Sequence, residues 1–165
     1  MPRRTLSGHG KPENDMPTRE DPTRFALSEP VPDELPPRLR VLVVEDEAVS
    51  AMYLDDLLSG LGCKVVATAD TAPAAVAAAE AHRPDVVFMD VRLREGDGIE
   101  AAAAIRDRFG IPFVLATAYA DEETHRRIAA AEPLAYLVKP VALGAIQRIL
   151  ETAEALVAKN QSRGP

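Results

Sequence analysis

"VVFMDVRLREGDGIE" occupies residues 86–100. Four apolar residues run into an acid, Asp90; a polar stretch with two glycines then leads into an alanine-rich run. A short, unbroken apolar run with valines and a phenylalanine is the pattern of a strand covered on both faces. The residues that follow predict a helix over about 97–109. Ile99, Ala102, Ile105 and Phe109 fall within one arc, and Gly110 and Pro112 end it. This is a βα unit whose strand stops on a carboxylate. Desolvating a charge is costly unless a partner offsets it, so other parts of the chain must bring one to Asp90.

The same alternation recurs on both sides. Strand-like runs are "LRVLVVE" (39–45), "KVVATA" (64–69), "DVVFM" (85–89), "PFVLA" (112–116) and "LAYLV" (134–138). The first, third and fourth are nearly continuous in apolar residues, as expected of central strands in a parallel sheet. Helical stretches lie between them. The first, about 47–60, sets Val49, Met52, Tyr53, Leu57 and Leu61 on one face, which we expect to be the packed one; Gly60 and Gly62 stop it. The last, about 141–157, repeats Ile146, Ile149, Leu150, Ala153 and Leu156. Five βα units in this length predict an α/β fold: a flavodoxin-like, doubly wound, five-stranded parallel sheet of order 2-1-3-4-5 with five helices.

In such a sheet, ligands bind beyond the carboxyl ends of the strands, where the order reverses. Glu45, Asp46 and Glu47 follow the first strand, Asp90 the third, Thr117 the fourth, and Lys139 and Pro140 the fifth. The first and third strands are neighbours in this order, so Glu45, Asp46 and Asp90 converge. Two unit charges about 4 Å apart at an effective dielectric of 20 repel by roughly 4 kcal/mol. A hard divalent cation relieves this, and oxygen ligands with room for water suit Mg²⁺. A lysine cancels further charge, and a threonine hydroxyl can donate to a phosphoryl oxygen. Asp90 so surrounded is a candidate nucleophile toward phosphorus.

The ordered set "VLVVEDE", "VVFMDVRLREGDGIEA", "FVLATAYAD" and "AYLVKPV" resembles the CheY-like receiver domains of bacterial two-component response regulators, over residues 39–157. The resemblance implies that Asp90 is the phosphoacceptor, receiving a phosphoryl group from a sensor histidine kinase or a histidine phosphotransfer protein. Glu45 and Asp46 would hold the Mg²⁺ with Asp90 and the backbone carbonyl of Arg92. Thr117 and Lys139 would bind the phosphoryl group, and the Lys139–Pro140 peptide is expected to be cis. It further implies a switch in which Thr117 moves toward the phosphoryl group and Tyr136 rotates inward. The surface of the fourth helix, fifth strand and fifth helix then changes partners. Kinase specificity would lie on Ala48, Val49 and Met52 and beyond Lys139, at Pro140. Such a domain assists its own phosphorylation and dephosphorylation without being an enzyme in its own right.

There are departures. Glu45–Asp46 replaces the commoner Asp-Asp pair, and Arg94 stands where proline is frequent, so we expect altered stiffness in the loop leading to Asp97 and Gly98. Arg92 and Tyr119 occupy positions that tune access of hydrolytic water in the family; their bulk implies a longer-lived phosphoryl state.

Residues 1–38 hold eight of the 14 prolines and few apolar residues, and are expected to be a disordered tail, with Phe25–Leu27 its one apolar spot and Met16 an alternative start. Residues 158–165 are expected to be a short C-terminal tail. Nine residues follow Leu156, which leaves no room in this sequence for a further domain and predicts a stand-alone regulator with a protein partner downstream. A net charge of −7 excludes a general nucleic-acid binder, and no apolar run is long enough to span a bilayer. One cysteine, Cys63, allows no internal disulfide and fits a cytoplasmic setting, where it serves as core filler. Arg126 and Arg127 read as a solvated helix face. The competing function is a degenerate receiver, an interaction module that never takes up phosphate. A haloacid-dehalogenase-type phosphatase would need a second Asp where Arg92 stands, and a flavodoxin would need a phosphate cradle where the acids stand.

Overall fold

A computed structural model describes residues 36–164. The expectations placed on residues 1–35, including the Phe25–Leu27 spot and Met16, lie outside the described residues. The elements run β1 (Arg40–Val44), α1 (Ala48–Gly60), β2 (Lys64–Ala69), α2 (Ala72–His82), β3 (Val86–Asp90), α3 (Gly98–Phe109), β4 (Phe113–Thr117), α4 (Glu122–Ala131), β5 (Ala135–Val138) and α5 (Leu143–Gln161). All neighbouring strands pair in parallel, in the order β2-β1-β3-β4-β5. The expected fold is present.

The pleat divides the core in two. Leu42, Val44, Val87, Met89, Phe113 and Leu115 face α2, α3 and α4, where they meet Ala79, Ile105 and Ile128. Val41, Val43, Phe88, Val114 and Leu137 face α1 and α5, where they meet Leu58, Ile146 and Leu150. β3 and β4 are buried at every residue, and β1 at all but its first. The edge strands β2 and β5 are only partly covered.

Helix boundaries follow local chemistry. Thr71 Oγ1 caps α2 by accepting from Ala74 N–H, and Asp97 and Asp121 cap α3 and α4 by accepting from Glu100 and Thr124 N–H. α3 ends on Gly110 in the left-handed conformation (φ 70°), as its sequence predicts.

Two expectations are corrected. Of the face read from the sequence, Val49, Met52 and Tyr53 are exposed and Leu57 and Leu61 only half-buried; the buried residue of α1 is Leu58, with the half-buried Leu54 packed on the same side. α1 is apolar around most of its circumference, so spacing permits two packed faces, and the sheet takes the one with Leu54 and Leu58. The last helix, expected over about 141–157, spans Leu143–Gln161. α5 continues past 157 to Gln161, because Ala158, Lys159 and Gln161 propagate a helix without a breaker.

Candidate phosphoacceptor site

Strand register assembles the site. Val44 pairs with Met89, Asp90 with Ala116, and Thr117 with Val138. Glu45, one residue past β1, therefore lies beside Asp90, the last residue of β3. Thr117 closes β4, and its carbonyl accepts from the Lys139 N–H at 2.9 Å, which sets Lys139 across the same end of the sheet.

Glu45, Asp46 and Asp90 each present a carboxylate oxygen within 4.8 Å of the others. Glu45 and Asp90 are each only 8% exposed. The Lys139 ammonium donates to Glu45 Oε2 and, at 2.9 Å, to Asp90 Oδ2. Backbone donors complete the shell: Glu47 N–H donates to Glu45 Oε1 at 3.1 Å, and Arg92 N–H to Asp90 Oδ1 at 3.0 Å. Burial is the largest influence on both Glu45 and Lys139. It pushes the Glu45 carboxyl up, more than the Lys139 bond lowers it. It would pull the Lys139 ammonium down, but the bonds to Glu45 and Asp90 outweigh it and hold Lys139 protonated. Three carboxylates against one ammonium leave a surplus of negative charge. Hard oxygen donors with such a surplus fit a divalent cation of the Mg²⁺ type.

The Thr117 side chain is buried, and its hydroxyl donates to the Tyr119 carbonyl at 2.9 Å. The Lys139–Pro140 peptide is cis, as expected. Tyr136 is half-buried; its ring meets His125 edge-to-face at 5.8 Å, with its hydroxyl 3.5 Å from His125 Nε2. Ala48, Val49, Met52 and Pro140 are exposed. A groove of about 530 Å³ opens between α1 and the segment after β5, walled by Val49, Tyr53, Pro140 and Val141, with Glu45 and Asp90 at its base.

Several contributors were not foreseen. Asp97 caps α3 and also accepts from Arg127 Nη2 at 2.7 Å, so Arg127 is tied to the loop after Asp90 and is not simply a solvated charge. Burial would raise the Asp97 carboxyl, but the Glu100 N–H and Arg127 bonds outweigh it and hold it below the usual range. The spacing of Asp97 and Glu100, that of a capping box, was the available signal. Arg94, in the loop after β3, donates to the Asp46 carbonyl in the loop after β1 at 3.4 Å. The loop without proline is braced in other ways. Arg92 and Asp97 form an isolated antiparallel bridge, Ala72 N–H donates to the Glu95 carbonyl at 2.9 Å, and Gly96 (φ 86°) lies against Ala72 with no space for a Cβ.

Residues 41–151 match the response regulator receiver domain family. The chain belongs to that family. It is 39% identical over 114 residues to the transcriptional regulatory protein PdtaR of Mycobacterium tuberculosis, covering 69% of this chain and 56% of PdtaR. It is 34% identical over 115 residues to the KDP operon transcriptional regulatory protein KdpE of Escherichia coli, covering 68% of this chain and 50% of KdpE. The chain thus spans about half the length of these relatives. Among solved structures, it resembles the signal receiver domain of a modulated diguanylate cyclase from Desulfovibrio desulfuricans (TM-score 0.68, 35% identity, 71% of this chain and 94% of that one). It also resembles the receiver domain of the sensor histidine kinase PA1611 from Pseudomonas aeruginosa, solved with magnesium in its active-site cleft (TM-score 0.64, 32% identity, 71% of this chain and 98% of that one). No helix among the described residues of this receiver is long and apolar enough to cross a membrane.

Proposed function

We propose that this receiver accepts a phosphoryl group on Asp90 from a histidine kinase or phosphotransfer protein and signals by contact with a protein partner. The observation that carries the reading is Lys139, whose ammonium joins the buried carboxylates of Glu45 and Asp90 at the sheet's carboxyl edge. Glu45, Asp46 and Asp90 would hold Mg²⁺, together with the Arg92 carbonyl. When bound, the cation supplies positive charge to phosphoryl oxygens and quenches repulsion among the acids.

An Asp90 oxygen attacks phosphorus, and the bond from phosphorus to the donor atom breaks on the opposite side, giving an aspartyl phosphate. Lys139 exchanges part of its bonding to Asp90 for a phosphoryl oxygen. The Thr117 hydroxyl turns from Tyr119 to another. That movement is communicated to Tyr136 on β5 and to the face built by α4, β5 and α5, which shifts between two packings. The donor protein docks on the exposed Val49 and Met52 of α1, which are 80% and 67% exposed, beside Ala48 and Pro140. Exposed large apolar residues, of which Val49 lines the groove leading to Asp90, suit a protein donor.

Incubation with Mg²⁺ and acetyl phosphate tests the reading. Intact-mass spectrometry should show one added phosphoryl mass on the native protein and none on Asp90→Ala. No adduct, together with no response to beryllofluoride, refutes phosphoryl acceptance and leaves a phosphorylation-independent interaction module.

A further inference from the structure

Resting on Asp90 as the phosphoacceptor with Mg²⁺ beside it, we infer that Arg127 on α4 is a positioning residue: its ion pair with Asp97 holds the loop after β3 in the shape that sets Arg92 against Asp90, and so ties the place of α4 to the affinity for Mg²⁺.

Arg127 Nη2 donates to Asp97 Oδ2 at 2.7 Å, and it lies 4.0 Å from Glu100 Oε1. Arg127 and Asp97 are both half-buried. The other Asp97 oxygen, Oδ1, accepts from Glu100 N–H at 3.0 Å and caps α3. One carboxylate therefore joins α4 to the start of α3. The Asp97 backbone forms the antiparallel bridge with Arg92, and the next residue, Gly98, donates to the Val91 carbonyl at 3.3 Å. Arg92 N–H in turn donates to Asp90 Oδ1 at 3.0 Å, while Lys139 takes Oδ2. Three links thus run from a helix to one oxygen of the phosphoacceptor: Arg127 to Asp97, Asp97 to Arg92, Arg92 to Asp90. Arg92 would also offer its carbonyl to the cation.

The first half of α4 is lightly held. The helix buries Ile128 and Ala131, both in its second half, and Glu122, Glu123, His125 and Arg126 are exposed. Among the described residues, the polar side-chain ties from α4 to other elements are those of Arg127 and the contact of the His125 ring with Tyr136 on β5. Where α4 shifts, Arg127 goes with it. The loop then keeps the fastening of Glu95 and Gly96 to Ala72 but loses the one at Asp97.

Charge and position act in opposite directions on the metal site, so the sign of the effect separates them. Removing a cation from the neighbourhood of a divalent-cation site strengthens its attraction for Mg²⁺. Loosening the loop weakens it, because ligands that must be ordered on binding hold the ion less tightly. Linkage is reciprocal, so Mg²⁺ in turn favours the place of α4 in which the ion pair is made.

The test titrates Mg²⁺ into unphosphorylated protein by isothermal titration calorimetry, using native protein, Arg127→Ala, Arg127→Lys, Asp97→Asn and the double variant of Arg127→Ala with Asp97→Asn. Arg127→Ala should raise the Mg²⁺ Kd about three- to fivefold, the range that a partly exposed ion pair supports, and Arg127→Lys should recover part of the loss. Asparagine keeps the α3 cap but not the ion pair, so adding Arg127→Ala to Asp97→Asn should change Kd by less than about 1.5-fold. With acetyl phosphate, the loading rate of Arg127→Ala should fall at low Mg²⁺ and match native protein at saturating Mg²⁺. Urea unfolding checks that each variant is fully folded at zero denaturant, and Arg127→Gln replaces Arg127→Ala if that one is not. An unchanged or lower Kd for Arg127→Ala, or an equal loss in both backgrounds, overturns the role of Arg127 while leaving Asp90 as acceptor. Absence of both Mg²⁺ binding and a phosphoryl adduct in native protein overturns the acceptor reading and this inference with it.

Discussion

Substituting Gly98 by alanine should unfold the domain's functional edge. Gly98 opens α3, directly beneath Asp90. A Cβ there would lie far inside the 3.0 Å that real Cβ atoms keep from the Asp90 carbonyl oxygen, and about 3.0 Å from the Asp90 carbonyl carbon and the Val91 oxygen. All three obstacles are backbone atoms of β3 and its continuation, so no rotamer change relieves the clash. Either α3 moves away from β3 or β3 bends. The first course breaks the 3.3 Å bond from Gly98 N–H to the Val91 carbonyl and disturbs the Asp97 cap with its Arg127 pair. Overpacking of this kind costs about 1–3 kcal/mol, and a lost cap adds roughly 1 kcal/mol. With a urea slope of about 2 kcal/mol/M, the unfolding midpoint should fall by more than about 1 M. Two controls separate the steric effect from loss of glycine as such. Gly60 is helical with open space around it, so Gly60→Ala should raise the midpoint slightly. Gly110 also has open space but holds φ at 70°, so Gly110→Ala should cost about 1 kcal/mol from backbone strain alone. A Gly98→Ala midpoint within about 0.2 M of the native value would refute the close-approach argument.

Asp46→Asn removes a charge that, among the described residues, accepts no side-chain hydrogen bond, so it should raise the metal-free melting temperature by a few degrees, relieving about 1 kcal/mol of repulsion, while abolishing any further rise on adding Mg²⁺ in a thermal melt. Asp97 is held below its ordinary pKa, so its ion pair stabilises the fold above about pH 4 and loses that contribution as pH falls through the lower folded value. The stability gap between native protein and Asp97→Asn, measured by urea unfolding, should therefore be constant near neutrality and close in acid. Val49→Ser and Met52→Ser should change stability by less than about 0.5 kcal/mol yet weaken docking of a phosphodonor protein in a binding titration. Leu58→Ala, on the packed face of the same helix, should cost about 2–5 kcal/mol.

The sheet order and the central strands were legible because β1, β3 and β4 are buried on both faces and so carry uninterrupted apolar runs. The strand-end positions were legible for a related reason: a parallel sheet gathers the residues that follow its strands at one edge, whatever their separation in sequence. The face of α1 was not legible, because Val49, Met52 and Tyr53 compete with Leu54 and Leu58 for one helical period, and only the sheet decides between them. Nor could spacing reveal the Arg127–Asp97 and Arg94–Asp46 contacts. The first joins two side chains and the second a side chain to a backbone carbonyl, each between distant segments, and their reach depends on how loops are braced. Lys139 was placed at the site, but its simultaneous grip on Glu45 and Asp90 depends on burial that charge pattern alone does not encode.

The Thr117 hydroxyl has one proton to give, and in this structure it gives it to the carbonyl two residues ahead. The donor is sealed from solvent, whereas the acceptor belongs to Tyr119, an exposed residue. A charged oxygen arriving over Asp90 forms a hydrogen bond roughly twice as strong as a neutral carbonyl does. On the proposed function, the loop after β4 would act as a comparator of two acceptors, turning a difference in charge into a choice of hydrogen-bond partner.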